Sequence, residues 1–341
     1  MLQNYDIKKT AESLFGVPII SIQAATGGRN SRVFKVKTKT DTYALKIYPA
    51  PTSGNILFDR MDQEVTGLNF MRNNGISCVP LNIFIDQNSR CAAYEWINGN
   101  IPTKIIKADV DAMLSITFSL ASLSILPTAK KLNSASDSCF SGADVINQLN
   151  RRLTRLISSN QPPVISKFLK NDLLPTFKLL EMRAKHIYKS SMLDFEKPLD
   201  QLQRTLSPSD FGFHNSVRRP DRSIIFVDFE YFGWDDPVKM ISDAFWHPGP
   251  SWGSNSAEYF RNESISFFNA RYGKTFEIRY DALSPLFGLI WCLITLNEFI
   301  PERQEYRTAN GLQAMTNEQK TNQITASKHI LKQITNWHLG S

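Results

Sequence analysis

Cysteine is scarce in this sequence. Cys78, Cys91, Cys139 and Cys292 are scattered and form no metal-type pair, a pattern of reduced thiols that sets the expected compartment as the cytoplasm. Uninterrupted apolar runs are also few. The start, MLQNYDIKKTAESLFG, is polar and has no secretory segment. The most apolar stretch, LSPLFGLIWCLITLNEFI (283–300), is broken by Pro285 and Glu298, which points to a buried helix rather than a membrane span. Long charge runs are missing too. The formal charge is +7, yet the pairs Lys130-Lys131, Arg151-Arg152 and Arg218-Arg219 never lengthen. Dispersed charge of this kind is a solvated face and no nucleic-acid footprint, although its sign disfavours a polycationic substrate.

What is present fits a folded chain with a large core: 42% hydrophobic and 21% charged residues over 341 positions. The first hundred residues are strand-rich. IISIQAAT, RVFKVKTKT and TYALKIYP alternate with period two, LFDRMDQEVTGLNFMRNNG reads as a helix stopped at Asn74-Gly75, and VPLNIFID and RCAAYEWI add two strands. The expected unit is a small antiparallel β lobe with one helix, residues 1–97. A larger, mainly helical lobe, residues 98–341, follows, giving an α+β chain with a cleft suited to a ligand. The Ser-rich segment 133–142 reads as a surface loop.

In TYALKIY, alternation puts Ala44, Lys46 and Tyr48 on one face and Tyr43, Leu45 and Ile47 on the other. In the helix, Glu64 falls within the stripe Met61, Val65, Leu68, Met71. A carboxylate facing a core needs a partner, and Lys46 is the plausible one; the alternative is a stripe-edge Glu64 that meets water. Gly27 and Gly28, in TGGRNS, let backbone N–H groups approach an anion, or simply make a turn.

In the later half, NSVRRPDRSIIFVDFEYF reads as a hairpin whose open end brings Asn215 and Asp228 together, with Asp210 on the loop just upstream. An amide oxygen and a carboxylate are hard ligands suited to Mg²⁺, and phosphoryl transfer depends on charge neutralisation and positioning. Further on, Tyr259, Trp291 and Glu298, with Glu230, Asp235 and Asp236, read either as a site for a sugar or alkylammonium group or as packing and helix capping.

Taken in order, these motifs resemble the phosphotransferase family of aminoglycoside and choline kinases, built on the protein-kinase-like fold. The resemblance runs from about ATGGRNSRVFKV to DDPVKMISDA. It implies that Lys46, in ALKIY, contacts the α- and β-phosphates of ATP with Glu64 as its helix partner. Backbone groups of Glu95, Trp96 and Ile97, in YEWINGNIP, would meet adenine. SDFGFHN resembles the catalytic loop, with Asp210 as base and Asn215 as a metal ligand, and VDFEYFGWDDP the metal segment, with Asp228 as the principal Mg²⁺ ligand. The implied activity is ATP- and Mg²⁺-dependent transfer of a phosphoryl group to a hydroxyl of a small molecule. A sugar or amino alcohol fits the basic charge better than an aminoglycoside. One departure is Pro208, where the family has histidine two residues before the aspartate. That histidine serves as a scaffold for the metal segment, so the chemistry is retained, but the departure opens a second reading: a nucleotide-binding pseudokinase acting as an interaction module.

Overall fold

Alternation along β3 (Thr42–Ile47) divides the first lobe into two packing layers. Tyr43, Leu45 and Ile47 face one cluster with Phe34, Val36 and Ala93, while Tyr48 and Ala92 face another with Met61, Val65 and Leu68. In the computed structural model, residues 4–25, 31–51, 58–159, 162–249, 252–309 and 315–340 are described.

The sheet comprises β1 (Ser21–Ala24), β2 (Arg32–Lys37), β3, β4 (Asn82–Asp86) and β5 (Cys91–Glu95), in the order β1-β2-β3-β5-β4 and antiparallel throughout. Helix α1 (Asn4–Phe15) covers one face through Ile7, Ala11 and Phe15, whose i, i+4, i+8 spacing forms a stripe. It is a second helix beside the expected one. The other face carries α2 (Arg60–Asn73), capped by Asp59, whose carboxylate accepts from the N–H groups of Met61 and Asp62. Gly75 follows at φ 87°, the left-handed stop anticipated from Asn74-Gly75.

The second lobe is helical: α3 (Lys107–Leu123), α4 (Gly142–Ser158), α5 (Pro163–Phe168) and α6 (Leu174–Ser190) precede the site. Four short strands follow, β6 (Thr205–Ser207), β7 (Ser216–Arg218), β8 (Ile224–Phe226) and β9 (Gly233–Asp235). Then come α7 (Pro237–Trp246), α8 (Ser254–Tyr272), α9 (Thr275–Thr295), α10 (Pro301–Ala309) and α11 (Asn317–Gly340). Helix α9 is the axis, packed by α4, α6, α7, α8 and α11. The span Thr275–Phe299 is long and apolar enough to cross a membrane, but 83% of its most apolar window is buried within this lobe, as expected for a core helix. All four cysteines are free, and Cys91, Cys139 and Cys292 are buried.

Segment 133–142 is more than a surface loop. Its backbone is bonded within the second lobe to Trp234 and Tyr231, and from the first lobe the α2 residue Gln63 donates to the Ser134 carbonyl at 2.9 Å. The segment ends in a capping box, Ser141 and Asp144 each accepting from the other's N–H at 3.0 Å, which starts α4.

Candidate active site

The site is built where β3, α2, the β6–β7 loop and the end of β8 converge. Lys46 is 5% exposed, too buried to stay charged without partners. It has three. Its Nζ lies 2.6 Å from Glu64 Oε2, 2.5 Å from Asp228 Oδ1 and 3.2 Å from Glu230 Oε2. Burial alone would discharge the ammonium, but Asp228, Glu64 and Glu230 outweigh it and raise Lys46 well above its ordinary value. Glu64 is 3% exposed, so the water-facing alternative is excluded. It also accepts from the Tyr48 hydroxyl at 2.7 Å and from the Phe229 N–H at 3.1 Å, a link from α2 to the other lobe.

The β7–β8 hairpin closes as its sequence implies. Ser216 pairs with Phe226, and the Val227 N–H donates to the Asn215 carbonyl at 2.9 Å, so Asn215 and Asp228 flank the open end. Asp228 has φ 68°, a left-handed conformation that costs free energy and turns the chain sharply toward Lys46. Burial, then the neighbouring Glu230 and Glu64, push its carboxyl up to about 6 against the opposing pull of Lys46.

Asp210 is presented by a tight turn. Its N–H donates to the Pro208 carbonyl at 2.9 Å, across Ser209 at φ 68°, the three-residue turn of the rarer hand. Pro208 therefore supplies an acceptor for the turn that carries Asp210. The Asp210 carboxylate takes a 3.2 Å contact from His214 Nε2, and the Asn215 amide donates to the Asp210 carbonyl at 3.0 Å. Burial would raise the Asp210 carboxyl, but the hydrogen bond and charge of His214, then His247 and Asn215, hold it well below the carboxylate range.

The interlobe connector differs from expectation in one respect. The Glu95 N–H is already used by the Leu81 carbonyl at 2.9 Å, and the Glu95 carboxylate pairs with Arg219 at 2.7 Å, so that N–H is not available to a nucleobase. The Trp96 ring lies under the Lys35 ammonium at 4.7 Å and lines a hollow with Lys37–Thr42 and Asn98. Ile97 is buried at 8% exposed. Gly27 and Gly28 lie outside the described residues.

The acids proposed for an acceptor cage are engaged elsewhere. Glu230, 1% exposed, meets Lys46, Arg60 at 3.6 Å and the Ser31 hydroxyl at 2.6 Å, which places it on the lysine side of the cleft. Asp235 pairs with Lys239 at 3.0 Å, and Asp236 caps α7 through the Val238 N–H at 2.8 Å. Trp291 donates to Asp243 at 3.1 Å, Tyr259 to Asp111 at 3.0 Å, and Glu298 is 6% exposed. Packing and capping, not a cage, describe these residues. Gln63 and His247 are site-side residues the sequence reading missed, and Glu230 is one it assigned to the acceptor rather than to Lys46. Strand alternation could not have placed Glu230, because β8 ends at Phe226 and Asp228 is left-handed.

A divalent cation fits the hard oxygen donors at the open end of the hairpin, the Asp228 carboxylate and the Asn215 amide. The oxygens of Glu64, Asp228 and Glu230, within 4.8 Å of one another, are drawn together by the Lys46 ammonium instead. Burial is the main reason the Asp228 carboxyl is raised, and a hard cation beside it would favour its ionised form.

No family model and no curated protein matches the sequence. Solved structures match along nearly the whole chain. A spectinomycin phosphotransferase in complex with ADP and spectinomycin superposes with TM-score 0.64 at 12% identity, covering 98% of each chain. Choline kinase LicA from Streptococcus pneumoniae gives TM-score 0.59 at 18% identity, covering 96% of this chain and 98% of that one. An ethanolamine kinase from Plasmodium vivax gives TM-score 0.57 at 14% identity, covering 95% and 87%. The chain has the two-lobed, protein-kinase-like fold of these aminoglycoside phosphotransferases and choline and ethanolamine kinases.

Proposed function

We propose that the chain is a small-molecule kinase that transfers the γ-phosphoryl group of ATP to a hydroxyl, with Mg²⁺ as cofactor. The observation that carries this reading is the convergence of four separate segments: Lys46 from β3 reaches Glu64 of α2 at 2.6 Å and Asp228 at 2.5 Å, beside the turn that presents Asp210. In this reading Lys46, fixed by Glu64, contacts the α- and β-phosphates. Asp228 and the Asn215 amide oxygen hold Mg²⁺, which supplies charge neutralisation at the transferring phosphoryl group. Asp210, kept ionised by its neighbours, accepts the proton of the acceptor hydroxyl. Backbone groups after Glu95, at Trp96 and Ile97, are left for the adenine.

The acceptor is a neutral or weakly charged hydroxyl compound such as a sugar or amino alcohol. The formal charge of +7 opposes a polycationic aminoglycoside, and the acids nearest the cleft are committed to Lys46, Lys239 and Arg279. The neighbouring folds' own ligands, ADP with spectinomycin in one case, are consistent with a nucleotide and a hydroxylated acceptor.

The test is a phosphorylation screen across a metabolite panel, run beside thermal shift with Mg²⁺-ATP. With an accepted substrate in hand, Asp210→Asn should leave nucleotide binding intact and cut turnover by roughly a hundredfold or more. Undiminished turnover in that variant would remove Asp210 as the base. Stabilisation by Mg²⁺-ATP with no accepted substrate would instead assign the chain to a nucleotide-binding interaction module, the reading Pro208 first suggested.

A further inference from the structure

The chain has five histidines, and two of them meet at Asp210. His214 follows Phe213 in the catalytic loop, and His247 follows α7. Their rings stack with centroids 3.6 Å apart and planes within 2°. Both Nε2 atoms face one carboxylate oxygen, Asp210 Oδ1, at 3.2 Å from His214 and 3.9 Å from His247.

Tautomers follow from the partners. The Gly249 N–H donates to His247 Nδ1 at 2.8 Å, so Nδ1 is an acceptor and the His247 proton sits on Nε2, facing Asp210. An ionised carboxylate only accepts, so the His214 Nε2 contact requires a proton there as well. The other nitrogen of that ring, His214 Nδ1, is buried and has no hydrogen-bond partner among the described residues. The pair is seated tightly. A Cβ on Gly212 would lie 2.7 Å from His214 Nδ1, and one on Gly249 would lie 2.7 Å from His247 Nδ1. Trp291 meets the His247 ring at 4.5 Å and 75°, and is itself held by Asp243.

A metal shared by Asp210 and both histidines is the competing use of this cluster. Coordination needs ring lone pairs aimed at one point about 2.0–2.1 Å from each nitrogen. In a parallel stack they run side by side instead, so the geometry serves a hydrogen bond from His214 and a longer electrostatic contact from His247, and not ligation.

We propose that His214 and His247 act together as positioning residues for Asp210. They hold Oδ1 from one side and leave Oδ2, whose contact is a long 3.4 Å one to the Asn215 amide, as the oxygen that takes the acceptor's proton. The proposal rests on Asp210 being the base.

The experiment uses the full chain with Mg²⁺-ATP and the best acceptor from the panel, or water as acceptor if none is found. His247→Phe keeps a ring in the stack and removes both nitrogens. It should lower kcat about tenfold or more with the KM for Mg²⁺-ATP unchanged, and lower the melting temperature slightly because the Gly249 N–H loses its acceptor. His247→Gln, which restores an N–H near the Nε2 position, should recover most of that loss. In an Asp210→Asn background, His247→Phe should cost nothing further, because the two act through one group. His214→Gln gives a second route should His247→Phe fold poorly, and its retained N–H predicts near-normal kcat while His214→Leu loses it. Wild-type kcat in His247→Phe, or an equal loss in both backgrounds, overturns the pair while leaving Asp210 as base. Full turnover by Asp210→Asn overturns the base itself. Zn²⁺ binding by the nucleotide-free chain that His247→Phe abolishes would replace positioning with ligation.

Discussion

Gln63 and Phe232 tie the two lobes together through one side chain: Nε2 of Gln63 donates to the Phe232 carbonyl at 2.9 Å. The same nitrogen reaches the Ser134 carbonyl at 2.9 Å, and Asn133 donates to Gln63 Oε1 at 3.2 Å. Gln63 is 5% exposed and adjacent to Glu64, so the helix carrying the lysine's partner is anchored from the opposite lobe.

Gln63→Leu removes those bonds with little change of volume and strands the buried Phe232 carbonyl. The expected loss is about 2–3 kcal/mol of stability by urea unfolding, accompanied by weaker Mg²⁺-ATP binding. An unchanged midpoint would show that the tie contributes nothing.

Gly67 lies one helical turn after Gln63, and a Cβ there would sit 2.5 Å from the Phe232 ring. Helix propensity favours Gly67→Ala by up to about 1 kcal/mol. Overpacking against a ring that is 1% exposed works the other way and should win, by about 1–3 kcal/mol before the propensity gain is subtracted. Thermal unfolding of Gly67→Ala decides the sign, and a raised melting temperature would mean that Phe232 moves aside freely.

Asp228 gives a pH dependence. Its folded-state carboxyl sits at about 6, above the ordinary 3.8, so the folded chain binds the extra proton between those values. Its contribution to stability is therefore present below the unfolded value and lost as pH rises through 6. Metal binding has the opposite slope because the ligand must be ionised. Mg²⁺-dependent nucleotide affinity, measured by calorimetry, should fall about fourfold from pH 7.5 to 5.5 through this group alone. Asp228→Ala should abolish the Mg²⁺ dependence altogether. A flat affinity over that range, or a metal requirement surviving in the variant, would remove Asp228 as the ligand.

Asp236 and Arg279 form a buried ion pair, 1% and 9% exposed, and Asp236 also caps α7. Asp236→Ala strands the guanidinium and should cost about 3–5 kcal/mol, while the double change Asp236→Ala with Arg279→Met should be milder. Chemical denaturation of both variants checks this. A single-variant loss no larger than the double's would mean that the cap alone matters.

Local patterns carried much of this structure in the sequence. Alternation fixed which face of β3 bears Lys46, helical spacing put Glu64 in the core, and hairpin chemistry brought Asn215 beside Asp228. What escaped was non-local. His247 and Asp210 are joined by α7's placement on the core, Gln63 reads the loop 133–142 only after both lobes assemble, and Glu230 finds Lys46 only because Asp228 turns left-handed. Helix α1 was different. Its polar composition hid a stripe of Ile7, Ala11 and Phe15 that periodicity could have found.

Ser209 and Asp228 share an unusual backbone setting, each at φ 68° immediately beside or at an oxygen-bearing position. Such conformations hold only where the surroundings leave no alternative. The turns at Ser209 and Asp228 are therefore made by the fold itself, and a ligand at the proposed site would find them already formed.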